Sequence, residues 1–273
     1  MNPLIVIPVR LASQRLPEKP FAKLGDAYLI DHVIEGALQA CIAPVVVAVD
    51  SERLVKHIQR FPIKIILTPS ALASGSDRIA HALNLYDPEK HFDLIINLQG
   101  DLAVFPPQKL SALNNSFPAF DIVTLAVPLT SQDYGNPHAV KAVLERVPPS
   151  PSQSFISRPL TLQDQANVDC PTPSPIKALN FTRQLSTTQK NIAAFHHIGV
   201  YAYKRRALEH FVSLKPTQRE KTEKLEQLRA LESGLSIGVI PLSQESRDDT
   251  WISVDTPQDL HKAHTFLQQA KSA

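Results

Sequence analysis

The sequence predicts an α/β protein: a Rossmann-like, mostly parallel sheet with helices on both faces, plus a smaller mixed β/α insertion. Three observations lead there. Short apolar runs recur through the first half of the chain, amphipathic stretches separate them, and the runs are continuous rather than alternating. Continuous Val/Ile/Leu runs mark strands covered on both faces, and helices between them supply the crossovers that parallel pairing needs. With 273 residues, 43% hydrophobic and 20% charged, the chain has enough apolar material for a sizeable core.

Taken in order, Leu4–Val9 is a buried strand. Leu29–Cys41 is a helix with Ile30, Val33, Ile34, Ala37 and Leu38 on one face. Val45–Val49 is a second strand, and Asp50-Ser51 caps a helix over Glu52–Gln59. Ile63–Leu67 is a third strand, Asp77–Tyr86 a helix, and Asp93–Leu98 a further strand. Ile122–Val127 and Val140–Leu144 read as strands. Residues 147–176 carry seven prolines and are expected to be loop or extended structure, suited to a lid or an oligomer contact. Ile198–Tyr203 is strand-like, followed by helices at Arg206–Ser213 and Arg219–Glu232, the second stopped by Gly234. Ser236–Ile240 is a strand, and Pro257 opens a last helix reaching about Gln269. Three regions follow: a nucleotide-binding core at 1–146, a proline-rich sugar-binding and dimerisation region at 147–200, and a return to the core at 201–273.

Composition removes several classes of function. Lys and Arg total 28 against 26 Asp and Glu, a net charge of +2, so no net field favours nucleic acid or an anionic membrane. No apolar stretch approaches the roughly 20 residues of a membrane-spanning helix. Only Cys41 and Cys170 are present, which argues against a disulfide framework and for a reducing, cytoplasmic setting. Gly is 8 of 273 residues, about 3% against a usual ~7%. A phosphate site built on a glycine cradle is therefore not expected.

In doubly wound sheets ligands bind beyond the carboxyl ends of the strands, which directs attention to the loops after Val9, Leu67 and Leu98. The first loop, Pro8 to Pro20, holds Arg10, Arg15 and Lys19 between stiffening prolines. Arginine forks and a lysine point charge together neutralise a triphosphate without glycine. The second loop holds Ser74, Gly75, Ser76 and Arg78 at a helix start, which suits an anion or a polar base edge. In the third, Gln99-Gly100-Asp101 sets a carboxylate just after a buried strand, where it can hold Mg²⁺ shared with phosphates. Asp255 is a second candidate ligand. Each loop alone also has an ordinary reading, as a solvated basic segment, a capped helix or a turn. Their joint order along one α/β chain is more informative.

On these motifs the chain resembles the 3-deoxy-manno-octulosonate (Kdo) cytidylyltransferases, also called CMP-Kdo synthetases, which feed lipopolysaccharide assembly. Their Pro-x-Arg-x-x-Ser-x-Arg-Leu-Pro-x-Lys-Pro loop stands at Pro8 to Pro20, and Ser-Gly-Thr-x-Arg at Ser74 to Arg78 with Ser76 for Thr. Gln-Gly-Asp is Gln99 to Asp101, Phe-x-Ser-Arg is Phe155 to Arg158, and His-Ile-Gly-x-Tyr-x-Tyr is His197 to Tyr203. Leu-Glu-Gln-Leu-Arg-Ala-Leu is Leu225 to Leu231, and Val-Asp-Thr-Pro-x-Asp-Leu is Val254 to Leu260. The resemblance implies that Arg10, Arg15 and Lys19 hold the CTP phosphates. It implies that Pro8, Ser13, Ser74, Gly75, Arg78, Gln99 and Gly100 complete the nucleotide pocket. Asp101 and Asp255 would coordinate Mg²⁺, and with Arg10 and Lys19 form the catalytic set. Arg158, His197, Tyr201, Glu226 and Gln227 would surround the acidic sugar, with Arg158 on its carboxylate. It further implies CMP transfer from CTP to the anomeric hydroxyl of Kdo, and a homodimer.

The chain departs from that pattern at several positions. Leu102-Ala103 replace Glu-Pro, Ala71-Leu72 replace Asp-His, Glu18 and Ser253 replace Gly, and Pro159–Leu162 do not match Pro-Ile-Pro-Tyr. Transfer to another acidic sugar, and a nucleotide-binding homologue without turnover, therefore stay open as alternatives. His196 and His197, adjacent in a strand, point to opposite faces and are not expected to form a metal pair. Cys41 is expected to pack as a small hydrophobe, and Lys204-Arg205-Arg206 to be a solvated cluster.

Overall fold

The computed structural model describes residues 1–115, 119–145, 174–185, 193–243 and 250–271. Pro3–Val9 forms β1, buried from Leu4 onward. A short hairpin, β2 (Lys23–Leu24) and β3 (Ala27–Tyr28), turns at Gly25, whose φ of 64° costs a glycine nothing. It feeds α1 (Leu29–Gln39), whose buried face includes Ile30, Val33, Ile34 and Ala37 as the spacing predicts. Next come β4 (Val45–Val49) and α2 (Glu52–Ile58), capped by Ser51, whose hydroxyl accepts the Arg53 N–H. β5 (Lys64–Leu67), α3 (Gly75–Tyr86) and β6 (Leu94–Asn97) complete the alternating first half.

The second half starts with β7 (Leu102–Val104), α4 (Ser111–Asn115), β8 (Ile122–Pro128) and β9 (Lys141–Leu144). β10 (Ile176–Thr182) and β11 (Ala194–Lys204) precede three helices, α5 (Arg205–Ser213), α6 (Gln218–Glu223) and α7 (Glu226–Glu232). β12 (Ile237–Pro241), β13 (Ile252–Ser253) and α8 (Pro257–Lys271) close the chain.

Nine strands form one sheet in the order β5-β4-β1-β6-β11-β8-β12-β10-β9. The first four run parallel, as expected from their helical crossovers. The expectation of a mostly parallel sheet fails beyond them. β11 lies antiparallel to both β6 and β8, β10 is antiparallel to β12 and β9, and the β8–β12 pair is parallel. Among the described residues no helix separates β9, β10 and β11, and without a crossover successive strands pair antiparallel. The sheet is mixed, within an α/β fold.

Alternation along β1 sorts the core into two layers. Ile5, Ile7 and Val9 join a cluster with α1, α2 and Ala263 of α8, while Leu4 and Val6 join Ile79 and Leu83 of α3, Leu208 of α5 and Leu228 of α7. Both faces of the sheet are thus covered. Burying one such Leu or Ile contributes about 1.5–3 kcal/mol.

Four local expectations are corrected. The helix predicted over Arg219–Glu232 is two helices, because Lys224 takes a left-handed conformation (φ 56°, ψ 48°) and Leu225 is extended. Glu220 O accepts both Lys224 N (2.7 Å) and Leu225 N (3.3 Å), which ends α6. Strand β10, not foreseen, starts where the proline-rich stretch stops; residues 147–173 of that stretch lie outside the described residues. Cys41 is exposed rather than packed, since it sits past the end of α1 at φ 51°. Arg205, expected in a solvated cluster, is buried, because Asp87 gives its guanidinium a partner. Among the described residues no helix is long and apolar enough to cross a membrane.

Candidate active site

The parallel strands β1, β4 and β6 end at Val9, Val49 and Asn97, and the candidate residues gather beyond those ends. The loop after β1 closes through Glu18, left-handed at φ 48°, into a single 3₁₀ turn at Lys19–Phe21. Glu18 stands where the pattern has glycine; its carboxylate pairs with Arg53, whose guanidinium lies 4.4 Å over the Phe21 ring. A side chain is thus tolerated there because α2 supplies it with a partner.

The two aspartates meet across a ribbon. Asp101 directly precedes β7 and Asp255 follows β13, and these strands pair antiparallel, with Val254 N donating to Asp101 O at 2.8 Å. Leu102 and Ala103, which replace Glu-Pro, belong to β7 itself and are buried in the core. Ser253, which replaces Gly, donates its hydroxyl to Asp101 Oδ1 at 3.1 Å. Gly100 has a steric reason: a Cβ there would lie 2.8 Å from Pro8 O.

Lys19 Nζ sits between the carboxylates, 2.7 Å from Asp101 Oδ2 and 2.8 Å from Asp255 Oδ1, and Arg15 Nη2 lies 3.1 Å from Asp255 Oδ2. Burial alone would lower the Lys19 pKa, but Asp101 and then Asp255 outweigh it and hold the ammonium above its ordinary value. Burial also pushes Asp255 upward, and Lys19 followed by Arg15 brings it below the usual carboxylate range. Two carboxylates converging on one cation suit a hard divalent ion. Among the described residues no third His, Cys, Asp or Glu completes a closed metal cage. Such a donor pair matches an ion that takes its remaining ligands from phosphates and water, as Mg²⁺ does.

Arg10 and Ser13 line an open cavity of about 780 Å³ with Glu18, Asp50 and Ser70. Ser74 caps α3: its hydroxyl accepts the Asp77 N–H at 3.2 Å and donates to Asp77 Oδ2 at 3.0 Å. Arg78 is buried and lines neither cavity; its guanidinium reaches Thr68 Oγ1, Pro69 O (3.4 Å) and Asp50 Oδ2 (3.5 Å). Asp50 in turn accepts Leu11 N at 2.9 Å. Arg78 therefore braces the first loop through Asp50, a residue whose sequence context shows only a helix cap.

Gly75, Gln99, Tyr201, Glu226 and Gln227 line a second, smaller cavity of about 200 Å³. A register shift between Ile198 and Tyr201 in β11 sets Tyr201 here, and Thr124 Oγ1 lies 3.1 and 2.6 Å from the Ile198 and Val200 carbonyls, within hydrogen-bond reach of both. Ser76 donates to Glu226 Oε2 at 3.0 Å, and burial raises the Glu226 pKa despite that bond. Tyr201 and Tyr203 are both raised by burial, so they stay phenols. His197 does not line this cavity. It lies behind Tyr201, its ring 5.3 Å away, with Nε2 3.0 Å from Thr124 Oγ1, and burial lowers its pKa to about 3, leaving a neutral imidazole. Arg158 lies outside the described residues. Ser76, Asn97, Tyr203 and Lys224 also face this cavity; Ser76 and Tyr203 fall inside the Ser74–Arg78 and His197–Tyr203 motifs, which give them no role, and Asn97 and Lys224 lie just outside the motifs.

A basic loop beside a carboxylate pair and a second polar cavity suits phosphate chemistry, and known proteins of similar sequence and fold can be set beside it. The family model described as Cytidylyltransferase matches residues 4–237. A 3-deoxy-manno-octulosonate cytidylyltransferase of Methylobacterium nodulans is 38% identical over 268 residues, 97% of each chain. One from Mesorhizobium japonicum is 37% identical over 98% of this chain and 99% of its own. Among solved structures, the CMP:2-keto-3-deoxy-manno-octonic acid synthetase complexed with CTP superposes with a TM-score of 0.77 at 28% identity, covering 99% of this chain and 100% of its own. The inositol-1-phosphate CTP transferase of T. maritima, at 17% identity and a TM-score of 0.59, shares the fold over 100% of this chain and 97% of its own. The chain belongs to the cytidylyltransferase family.

Proposed function

We propose that the chain transfers CMP from CTP to the anomeric hydroxyl of 3-deoxy-manno-octulosonate, releasing pyrophosphate, for lipopolysaccharide assembly. The observation that carries this reading is the cation-bridged aspartate pair between a basic loop and a separate small polar cavity. The relatives' names and the CTP-bound neighbour support it.

In the proposed reaction the sugar hydroxyl attacks the α-phosphorus in line and gives up its proton to solvent as its O–P bond forms, while the bond to the β-phosphate oxygen breaks and pyrophosphate leaves. Catalysis of this kind rests on positioning and charge neutralisation. Arg10, Arg15 and Lys19 take the phosphate oxygens. Lys19 is poised to exchange its carboxylate partners for phosphate when nucleotide arrives. Mg²⁺, held by Asp101 and Asp255, would neutralise phosphate charge and lower the pKa of the attacking hydroxyl. Gln99, Tyr201, Glu226 and Gln227 orient the sugar, and neutral His197 supports the Tyr201 ring from behind. We further propose that residues 147–200, Arg158 included, carry additional sugar contacts and a homodimer interface, and that the reaction is cytoplasmic.

Pyrophosphate release, measured with each of the four NTPs, Mg²⁺ and a panel of sugar acids, tests this. CTP- and Kdo-dependent release that vanishes in Asp101→Ala is expected. Release with CTP and only a different keto-acid sugar would move the substrate; CTP binding without turnover on any sugar acid would reject the reaction.

A further inference from the structure

The small cavity poses a charge problem for an acidic sugar. Glu226 contributes a buried carboxyl, and Gln99, Tyr201 and Gln227 contribute neutral groups. Asp101 follows Gln99 by two residues. A sugar carboxylate entering such a site needs a cation, because a charge taken from water without a partner is strongly disfavoured. Among the residues lining this cavity, Lys224 is the one cation.

Its place in the chain is fixed by unusual means. Lys224 occupies the left-handed break between α6 and α7, immediately before the Leu225–Leu231 motif. Arg183, at the end of β10, holds this break from outside: Nε donates to Glu223 O at 2.9 Å, Nη2 to Lys224 O at 3.4 Å, and Nη1 to Pro137 O at 3.1 Å. Lys141, fully buried, adds a brace by donating Nζ to Arg183 O and Asn136 O, each at 2.7 Å. A non-glycine residue is sterically disfavoured in this conformation, and these bonds keep it there. The Lys224 side chain is exposed, and no carboxylate among the described residues forms a salt bridge with it. The backbone is thus locked while the ammonium is left for something in the cavity.

We propose that Lys224 shares the carboxylate of the acidic sugar with Arg158 and so helps select a sugar acid over a neutral sugar. This rests on the transferase reading and adds to it a residue outside the resemblance. A charge-assisted contact at an open cavity mouth acts on sugar affinity, not on the chemical step.

The test uses the full chain with Lys224→Met and Lys224→Arg, reading KM and kcat for Kdo and for CTP separately from pyrophosphate release. Thermal midpoints confirm that both variants are folded. Lys224→Met is expected to raise the KM for Kdo about tenfold, the lower end for a charged hydrogen bond, while KM for CTP and kcat change less than about twofold. Lys224→Arg is expected to recover most of the loss. With the C1 amide of Kdo, the gap between wild type and Lys224→Met is expected to close. An active wild type with an unchanged Kdo KM in Lys224→Met, or equal losses on Kdo and its amide, would overturn the assignment of Lys224 alone. A wild type without CTP- and sugar-dependent turnover would overturn the transferase reading and this proposal with it.

Discussion

Replacing Lys19 by Met removes the ammonium that bridges Asp101 and Asp255 and leaves a side chain of similar length. Two charge-assisted bonds are lost, at 2.7 and 2.8 Å. A hydrogen bond to a charged group is worth about 1.5–3 kcal/mol, which would sum to roughly 3–6 kcal/mol. The site does not justify that sum. Asp255 is 38% exposed and keeps Arg15 at 3.1 Å, so its share is discounted for solvent. Asp101, 24% exposed, keeps only the Ser253 hydroxyl and faces a second carboxylate. A net loss of about 2–3 kcal/mol is expected, or roughly 4–5 °C in midpoint. The same change vacates the space between two carboxylates that a divalent ion would otherwise have to contest with an ammonium. Mg²⁺ without nucleotide should therefore raise the midpoint of Lys19→Met by about 2–3 °C, about 1.4 kcal/mol at tenfold excess over Kd, and that of the wild type much less. With phosphate neutralisation lost, kcat/KM should fall by about 10²–10³. Differential scanning fluorimetry with and without Mg²⁺, plus steady-state kinetics, reads all three. A Lys19→Met protein as stable as wild type and no more responsive to Mg²⁺ would refute the reasoning.

Away from the site, Asp87 accepts N–H groups from His91 (2.9 Å) and Phe92 (3.0 Å) and pairs with Arg205 at 2.5 Å; Asp87→Ala leaves that buried arginine with Glu209 (3.1 Å) as its remaining carboxylate partner and should cost about 2–3 kcal/mol in denaturant unfolding, with KM values unchanged. Burial alone would raise the Asp87 pKa, but these partners outweigh it and hold the carboxyl at about 2, below its ordinary range. Its contribution is therefore complete above pH ~4 and lost as pH falls through about 2, an acid-sensitive increment of about 2 kcal/mol that Asp87→Asn should lack. Gly100→Ala, with its Cβ 2.8 Å from Pro8 O, must shift the turn that carries Asp101 and should lower kcat/KM about ten- to a hundredfold. For Glu226, burial raises the pKa, so ionisation opposes folding as pH rises through the folded value. Glu226→Gln should raise the midpoint at pH 8 by a few degrees at most, leave it unchanged at pH 4, and raise the KM for the sugar.

The imprint of the fold on the amino-acid sequence is uneven, for physical reasons. β1 and α1 are legible because burial on two faces or one leaves a direct trace, a continuous run at Leu4–Val9 and a 3.6-residue period from Ile30 to Ala37. The basic loop and the Gln99–Asp101 turn are legible because local residue types carry their chemistry. The break at Lys224 is hidden, because neither glycine nor proline marks it and the bonds holding it come from Arg183 and Lys141, remote in sequence. The antiparallel half of the sheet is hidden too, since orientation depends on connections rather than on composition. That Lys19 bridges two aspartates 82 and 236 residues away rests on the β7–β13 ribbon, two short strands with no periodicity to detect.

The proposed chemistry is tested most directly at the phosphorus atom. When the purified chain is mixed with CTP, Kdo and Mg²⁺ and followed by ³¹P NMR, a new phosphodiester signal of CMP-Kdo should grow together with an equal amount of pyrophosphate, and neither should form when Kdo is omitted. Loss of CTP without a sugar-linked phosphodiester, or a spectrum that stays unchanged while CTP is bound, would contradict it.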